Sequence, residues 1–239
     1  MAQSRNHTGI KHAPAMPVIP DHVPRKRAPR VMAQAPPYVV PASDSLLQVR
    51  DAAQACKACA LWEHATQAVF GEGPAHSRVM LVGEQPGDQE DRQGHPFVGP
   101  AGQLLDRALH DAGIERGAVY VTNAVKHFKW EPRGKRRLHK TPDLAEIAAC
   151  HQWLDKELEL VAPELVIALG ATAARALLGR ATPVETNRGR LMEWTHGRQI
   201  LITVHPSYLL RVPDAFRVEA YGRFVRDLKL AATFAGAQR

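Results

Sequence analysis

Arg78-Val79-Met80-Leu81-Val82-Gly83-Glu84-Gln85-Pro86-Gly87 opens as an unbroken aliphatic run and closes as a polar turn bounded by glycines. Four aliphatic side chains in succession, with no polar residue at alternate positions, predict a strand buried on both faces, as in a parallel sheet. Residues 165–169 have the same character, and residues 118–125 also read as a strand. Helical segments are expected around them: a first from a Ser43 cap to about Cys56, then residues 103–112 with a stop at Gly113. A long helix opens at Thr141-Pro142-Asp143, with the proline just inside it, and runs to about Val161; residues 171–178 form another. Residues 190–194 and 199–204 read as a hairpin turned at His196-Gly197, and a last helix covers about 215–232. Strands alternating with helices predict an α/β fold, a three-layer α/β/α sandwich with a mostly parallel central sheet. In such sheets ligands bind beyond the carboxyl ends of the strands. Residues 83–87, residues 123–126 and His205-Pro206-Ser207 each follow a predicted strand end, and together they make one candidate site.

At 239 residues the chain has room for one sizeable domain with an extension. No apolar run approaches the roughly 18 residues that span a bilayer, so a membrane role is not expected. Three cysteines, an odd number, argue against a disulfide framework and predict a reducing, cytoplasmic setting. Oligomerisation is unmarked, and a monomer is the default expectation.

The formal charge of +7 favours a polyanionic partner, and its distribution says more. Residues 1–45 carry six Lys/Arg against Asp21 and Asp44, together with eight of the 18 prolines. They are read as a disordered, basic extension, too poor in patterned aliphatics to offset the entropy of ordering. Residues 126–140 carry seven Lys/Arg against Glu131 alone, so what remains of the chain is slightly acidic. One basic segment on such a body reads as a placed phosphate contact or as a merely solvated loop.

Cys56-Lys57-Ala58-Cys59 is a C-x-x-C pair at the end of a helix, and Cys150 lies far downstream. A thioredoxin-like pair would sit between a strand and a helix, which disfavours redox chemistry of that kind. Three thiolates suggest a four-ligand centre, for which His127, beside a strand end, is the best fourth member. Zinc as Cys₃His and an iron–sulfur cluster are both open on this reading.

Four spaced motifs carry a more specific message: Gly83-Glu84-Gln85-Pro86-Gly87-Asp88, Gly94-His95-Pro96-Phe97-Val98-Gly99, Asn123-Ala124-Val125-Lys126 and His205-Pro206-Ser207-Tyr208-Leu209-Leu210-Arg211. They resemble, in order, the uracil-DNA glycosylase superfamily and in particular its iron–sulfur, family-four branch, over about residues 46–239. Three departures stand out: Gln85 where that branch has alanine, His127 where it has cysteine, and an inserted basic loop at about 129–140 containing Lys135-Arg136-Arg137-Leu138-His139. Together these resemble the UdgX class, which binds uracil-DNA irreversibly.

The resemblance implies a [4Fe–4S] cluster on Cys56, Cys59, His127 and Cys150, with zinc the lesser alternative, and uracil-containing DNA, single- or double-stranded, as partner. It implies Phe97 as the stacking face, Asn123 as reader of the base edge, and His205 as donor to uracil O2. Gln85 and Asp88 would shape the pocket. Glu84 would face the cation developing at C1′. Lys135, Arg136, Arg137, Lys140, Ser207 and Arg211 would touch the DNA backbone. His139 would be the nucleophile, leaving the protein attached to the sugar. The alternatives are a multiple-turnover glycosylase in which His139 only contacts phosphate, and a cluster-bearing module that binds uracil-DNA without chemistry.

Overall fold

A computed structural model describes residues 39–236. The expected disordered extension therefore lies, up to residue 38, outside the described residues.

The central sheet contains β1 (Val79–Gly83), β2 (Tyr120–Asn123), β5 (Leu165–Leu169), β6 (Leu191–Glu193) and β7 (Gln199–Thr203) in the order β2-β1-β5-β7-β6. Every pairing is parallel except that of β6 with β7. Alternate residues of each strand feed opposite cores. Met80, Val82, Val166, Ala168, Ile200 and Ile202 pack on one side against α1 (Leu46–Ala53), α4 (Leu144–Val161) and α5 (Gly170–Leu178). Val79, Leu81, Leu165, Ile167, Leu169 and Leu201 pack on the other against α3 (Pro100–Asp111) and α8 (Asp214–Lys229). The three-layer α/β/α expectation holds, because aliphatic side chains at successive positions supply both faces of each buried strand.

Several local expectations change. Ser45, not Ser43, caps α1; the Ser43 hydroxyl instead accepts from the Ser45 amide at 3.1 Å. Pro142 stands before α4, whose cap is Asp143: its side chain accepts from the Ala145 and Glu146 amides at 3.0 Å each. Glu146 returns the bond to the Asp143 amide at 2.7 Å, which completes a capping box. The loop after β1 contains a short helix, α2 (Asp88–Gln93), capped at Gly87. Three other short helices are α6 (Val184–Asn187), α7 (Pro206–Leu209) and α9 (Ala232–Ala235).

The largest change concerns the basic loop, which forms an antiparallel hairpin of β3 (Trp130–Arg133) and β4 (Arg136–His139), turned at Gly134 with φ 60°. Strand pairing is hidden in this sequence because the hairpin buries no regular apolar face. Among the described residues no helix is long and apolar enough to cross a membrane.

Candidate active site

The register pairs Gly83 with Asn123 and Leu169 with Thr203, so the carboxyl ends of β1, β2, β5 and β7 open on one edge of the sheet. The three loops expected there do converge, and a fourth joins them: α5 follows β5 directly and brings Thr172. A cavity of about 350 Å³ lies at this edge, lined by residues that include Gln85, Phe97, Asn123, His139, His205 and Arg211.

Glycines make room for its walls. A β-carbon at Gly83 would collide with the Asn123 side-chain oxygen and the Phe97 ring, and one at Gly102 would collide with the Phe97 carbonyl. Phe97 itself sits at φ 59°, in the left-handed region that a bulky residue rarely adopts. Such strain persists where its surroundings impose it, commonly at functional sites. Its ring centroid lies 6.1 Å from that of His205, tilted by 30°. Asn123 is 2% exposed, and its Oδ1 is buried with no hydrogen-bond partner among the described residues. An unpartnered buried acceptor costs about 1–3 kcal/mol, which a donor on a ligand can recover.

His205 caps α7. Its Nδ1 accepts from the Ser207 amide at 3.2 Å and lies 2.8 Å from the Ser207 hydroxyl. Burial, reinforced by the nearby His139 and Arg211, pushes its pKa down to about 4. The ring is therefore neutral at pH 7, and because Nδ1 is accepting, Nε2 carries the proton. Ser207 thus serves His205, while exposed Arg211 lines the cavity.

Glu84 leaves the end of β1 and accepts from the Thr172 hydroxyl at 2.5 Å. His139 Nε2 stands 3.4 Å from Glu84 Oε1. Burial lowers the His139 pKa and Arg211 adds to this, against the opposing pull of Glu84. An imidazole free of its second proton thus faces the carboxylate. The His139 ring also lies 6.0 Å from Phe128.

What places His139 is the anchoring of the hairpin, and here two expectations are corrected. Gln85 lines the cavity, but its amide is committed to the hairpin: Nε2 donates to the Lys129 and Lys140 carbonyls at 3.2 and 3.0 Å, and Oε1 accepts from the Lys129 amide at 3.0 Å. Asp88, expected to shape the pocket, instead pairs with Arg92 at 3.0 Å and with Arg137. Arg137, expected on the DNA backbone, is a half-buried anchor that also binds buried Asp91 at 2.6 Å and covers the Phe128 and Trp130 rings. Lys140 pairs with Glu131 at 2.9 Å, and Lys129 with Asp143 and Glu146 at 3.3 and 2.8 Å. Arg133, Lys135 and Arg136 are exposed and, among the described residues, form no ion pair. Lys126, counted with the basic loop, is 1% exposed and paired with fully buried Glu157 at 2.5 Å. Charge counting from sequence cannot see these partners, which lie 14 to 49 residues away wherever they lie outside the hairpin.

Cys56, Cys59 and Cys150 are free, and their charges would interact with one another. Cys56 Sγ accepts from the Trp153 indole and Cys150 Sγ from the Lys126 amide, each at 3.1 Å. His127, next along the chain, is 5% exposed. Among the described residues no three His, Cys, Asp or Glu side chains converge as ligands of a single metal ion. A tetrahedral Cys₃His zinc site would need all four donors about 2.0–2.3 Å from one point.

Sequence reasoning missed Thr172 and Glu90. Glu90 is 8% exposed, lines the cavity, and ties its two glycine loops through the Gly87 and Gly99 amides at 3.1 and 2.8 Å. Its position three residues after a glycine cap was the available signal.

Residues 70–229 match the Uracil DNA glycosylase superfamily. The chain is 40% identical over 164 residues to the Type-4 uracil-DNA glycosylase of Thermotoga maritima, an alignment that covers 68% of this chain and 82% of that protein. It is 33% identical over 196 residues to the Type-4 uracil-DNA glycosylase of Sulfurisphaera tokodaii, covering 78% and 86%. Against the Type-5 uracil-DNA glycosylase of Pyrobaculum aerophilum it is 32% identical over 182 residues, covering 69% and 76%. The matched span takes in every loop that lines the cavity, and the chain belongs to the uracil DNA glycosylase superfamily.

Proposed function

We propose that this chain excises uracil from DNA and retains the resulting sugar on His139 as a covalent adduct. The observation that carries base recognition is the buried, unpartnered Asn123 Oδ1 at a cavity bounded by Phe97 and His205.

A flipped uracil offers an N3–H to Asn123 Oδ1, whereas cytosine offers only a lone pair at N3. Phe97 supplies the apolar face. As the glycosidic bond breaks, its electron pair collects on the base, and the neutral His205 donates from Nε2 to uracil O2. A donor already oriented and shielded from water stabilises that charge without reorganisation. The cation developing at C1′ faces the Glu84 carboxylate, which Thr172 holds in place. One imidazole nitrogen of His139 bonds to C1′ as the base departs, and the imidazolium so formed lies beside Glu84. Its C–N bond has no second group to activate it toward water, so the adduct persists.

Cys56, Cys59, His127 and Cys150 would hold a [4Fe–4S] cluster: the set is sulfur-rich, with Cys56, His127 and Cys150 buried and Cys59 part-buried. N–H donors to Cys56 and Cys150 suit thiolate ligands. When bound, the group would tie the segment after α1 to the β2 loop and α4.

A second reading, turnover by water, draws on the 47% exposure of the His139 side chain, which leaves solvent a route to C1′. One gel separates the readings. The protein is incubated with a uracil-containing oligonucleotide and boiled in detergent; a shifted band is expected, and its absence would sink covalent capture. Free abasic product would then indicate turnover, and intact uracil a binding module. His139→Gly is expected to lose the band and gain slow excision, and persistent cross-linking would place the nucleophile elsewhere. For the cofactor, iron and sulfide with an absorption band at roughly 400 nm are expected, and zinc on analysis would overturn the cluster.

A further inference from the structure

Behind the β3–β4 hairpin lies an open groove of about 550 Å³, lined by Lys129, Trp130, Glu131, His139, Lys140 and Thr141. Among the described residues, His139 alone lines both this groove and the base cavity. We propose that the groove is a stacking subsite for the nucleotide next to the captured uracil, with Trp130 as its platform. The inference rests on the uracil-DNA reading above and specifies how the rest of the strand is held.

A sugar whose C1′ reaches His139 stands where the two spaces meet, so continuity of the strand delivers an adjacent nucleotide to the groove. Trp130 is fixed before any ligand arrives: its indole Nε1 donates to the His64 carbonyl at 2.8 Å, and the Arg137 guanidinium lies 5.4 Å over the ring. The residue as a whole is nevertheless part-exposed. A preorganised aromatic beside a cationic track is the arrangement that holds single strands, because every base has a π-face.

Charge around the groove supports the same occupant. Lys140 and Glu131 are about half exposed, so their ion pair is weak, and Lys140 can turn to a phosphate at little cost. Lys129 is committed to two carboxylates and is not needed for this role. Arg133, Lys135 and Arg136 extend the positive track to the far end of the hairpin. A base lying on Trp130 has left its own stack, so the subsite favours an unpaired strand over a duplex.

The test uses the full chain and single-stranded oligonucleotides with one uracil, whose neighbouring base is replaced by an abasic spacer on one side or the other. The half-saturating DNA concentration for uracil excision or capture is measured. With the native protein, a spacer on one side only is expected to raise it by on the order of 5- to 150-fold, the range for losing one stacked base. Trp130→Leu should raise it comparably on the intact oligonucleotide and add no further loss on the spacer one, while Trp130→Phe should keep most of the affinity. Indifference of the native protein to both spacers would overturn the subsite without involving any variant. So would losses from Trp130→Leu and the spacer that multiply. If the native protein leaves uracil untouched in every oligonucleotide, the uracil reading itself fails, a distinguishable result.

Discussion

Replacing Lys126 by methionine removes one half of an ion pair whose side chains are 1% and 0% exposed. The Glu157 carboxylate would stay where it is, still accepting from the Gly71 amide at 2.8 Å, the Tyr120 hydroxyl at 3.1 Å and the Thr122 hydroxyl at 2.9 Å. Breaking such a pair costs about 3–5 kcal/mol, since the remaining charge is buried without a counterion. For a chain of this size that corresponds to a fall in Tm of about 6–20 °C. Lys126→Met with Glu157→Gln removes the charge but keeps an acceptor for the Gly71 and Tyr120 donors, and should recover about 2 kcal/mol or more. Urea titration measures both, provided the slope m is unchanged between variants. Equal instability of the single and double variants would refute the stranded-charge reasoning, as would a single variant within about 0.5 kcal/mol of native. The pair also has a functional side, because Lys126 Nζ donates to the Asn123 carbonyl at 2.7 Å. The double variant should therefore fold well and still bind uracil-DNA more weakly than the native protein.

Further outcomes follow from the hairpin and the cavity. Lys135→Gln and Arg136→Gln should each reduce the log–log salt slope of DNA binding by up to about 0.9, measured by titration across salt. Arg137→Gln should leave that slope alone and lower the cross-link yield instead, because its guanidinium is spent on Asp88 and Asp91. Gln85→Ala removes three hydrogen bonds worth about 1 kcal/mol each, so amides of residues 129–140 should exchange faster and adduct formation should fall more than binding. Lastly, His205 has a folded pKa of about 4 against an ordinary 6.5, so the folded state binds the fewer protons. Its contribution to stability is complete above about pH 6.5 and is lost as the pH falls toward 4. Urea midpoints across this window should drop less steeply in His205→Asn, and an unchanged slope would show that His205 is not the group responsible.

The scaffold was legible where one local signal suffices. Leu165–Leu169 is a run of five aliphatics and became β5 to the residue; the opening of α4 was legible to within two residues, though Asp143, not a residue before Pro142, caps it. The strand-end rule brought the loops bearing Glu84, Asn123 and His205 to one edge, because parallel strands in register end together. What stayed hidden depends on partners far along the chain. Lys126 and Arg137 carry the same formal charge as Arg136, yet one is neutralised in the core by Glu157 and another fastens the hairpin to α2. Gln85 lines the pocket as expected, but its amide binds backbone 44 and 55 residues downstream, which no local signal shows. Thr172 escaped because Gly170-Ala171-Thr172 has no feature beyond a helix start.

The Gln85 clamp has a consequence for how this protein could be altered. It grips main-chain atoms of Lys129 and Lys140 alone, and those two residues also bond to each other, amide to carbonyl, at 3.0 Å. Main-chain atoms are the same in every amino acid, so the fastening does not read the ten residues between them. The hairpin is in effect an interchangeable cartridge in a fixed socket. With an arginine kept for Asp88 and Asp91, cartridges of other sequence could present a different reactive side chain over the same cavity while the base-reading floor beneath went untouched.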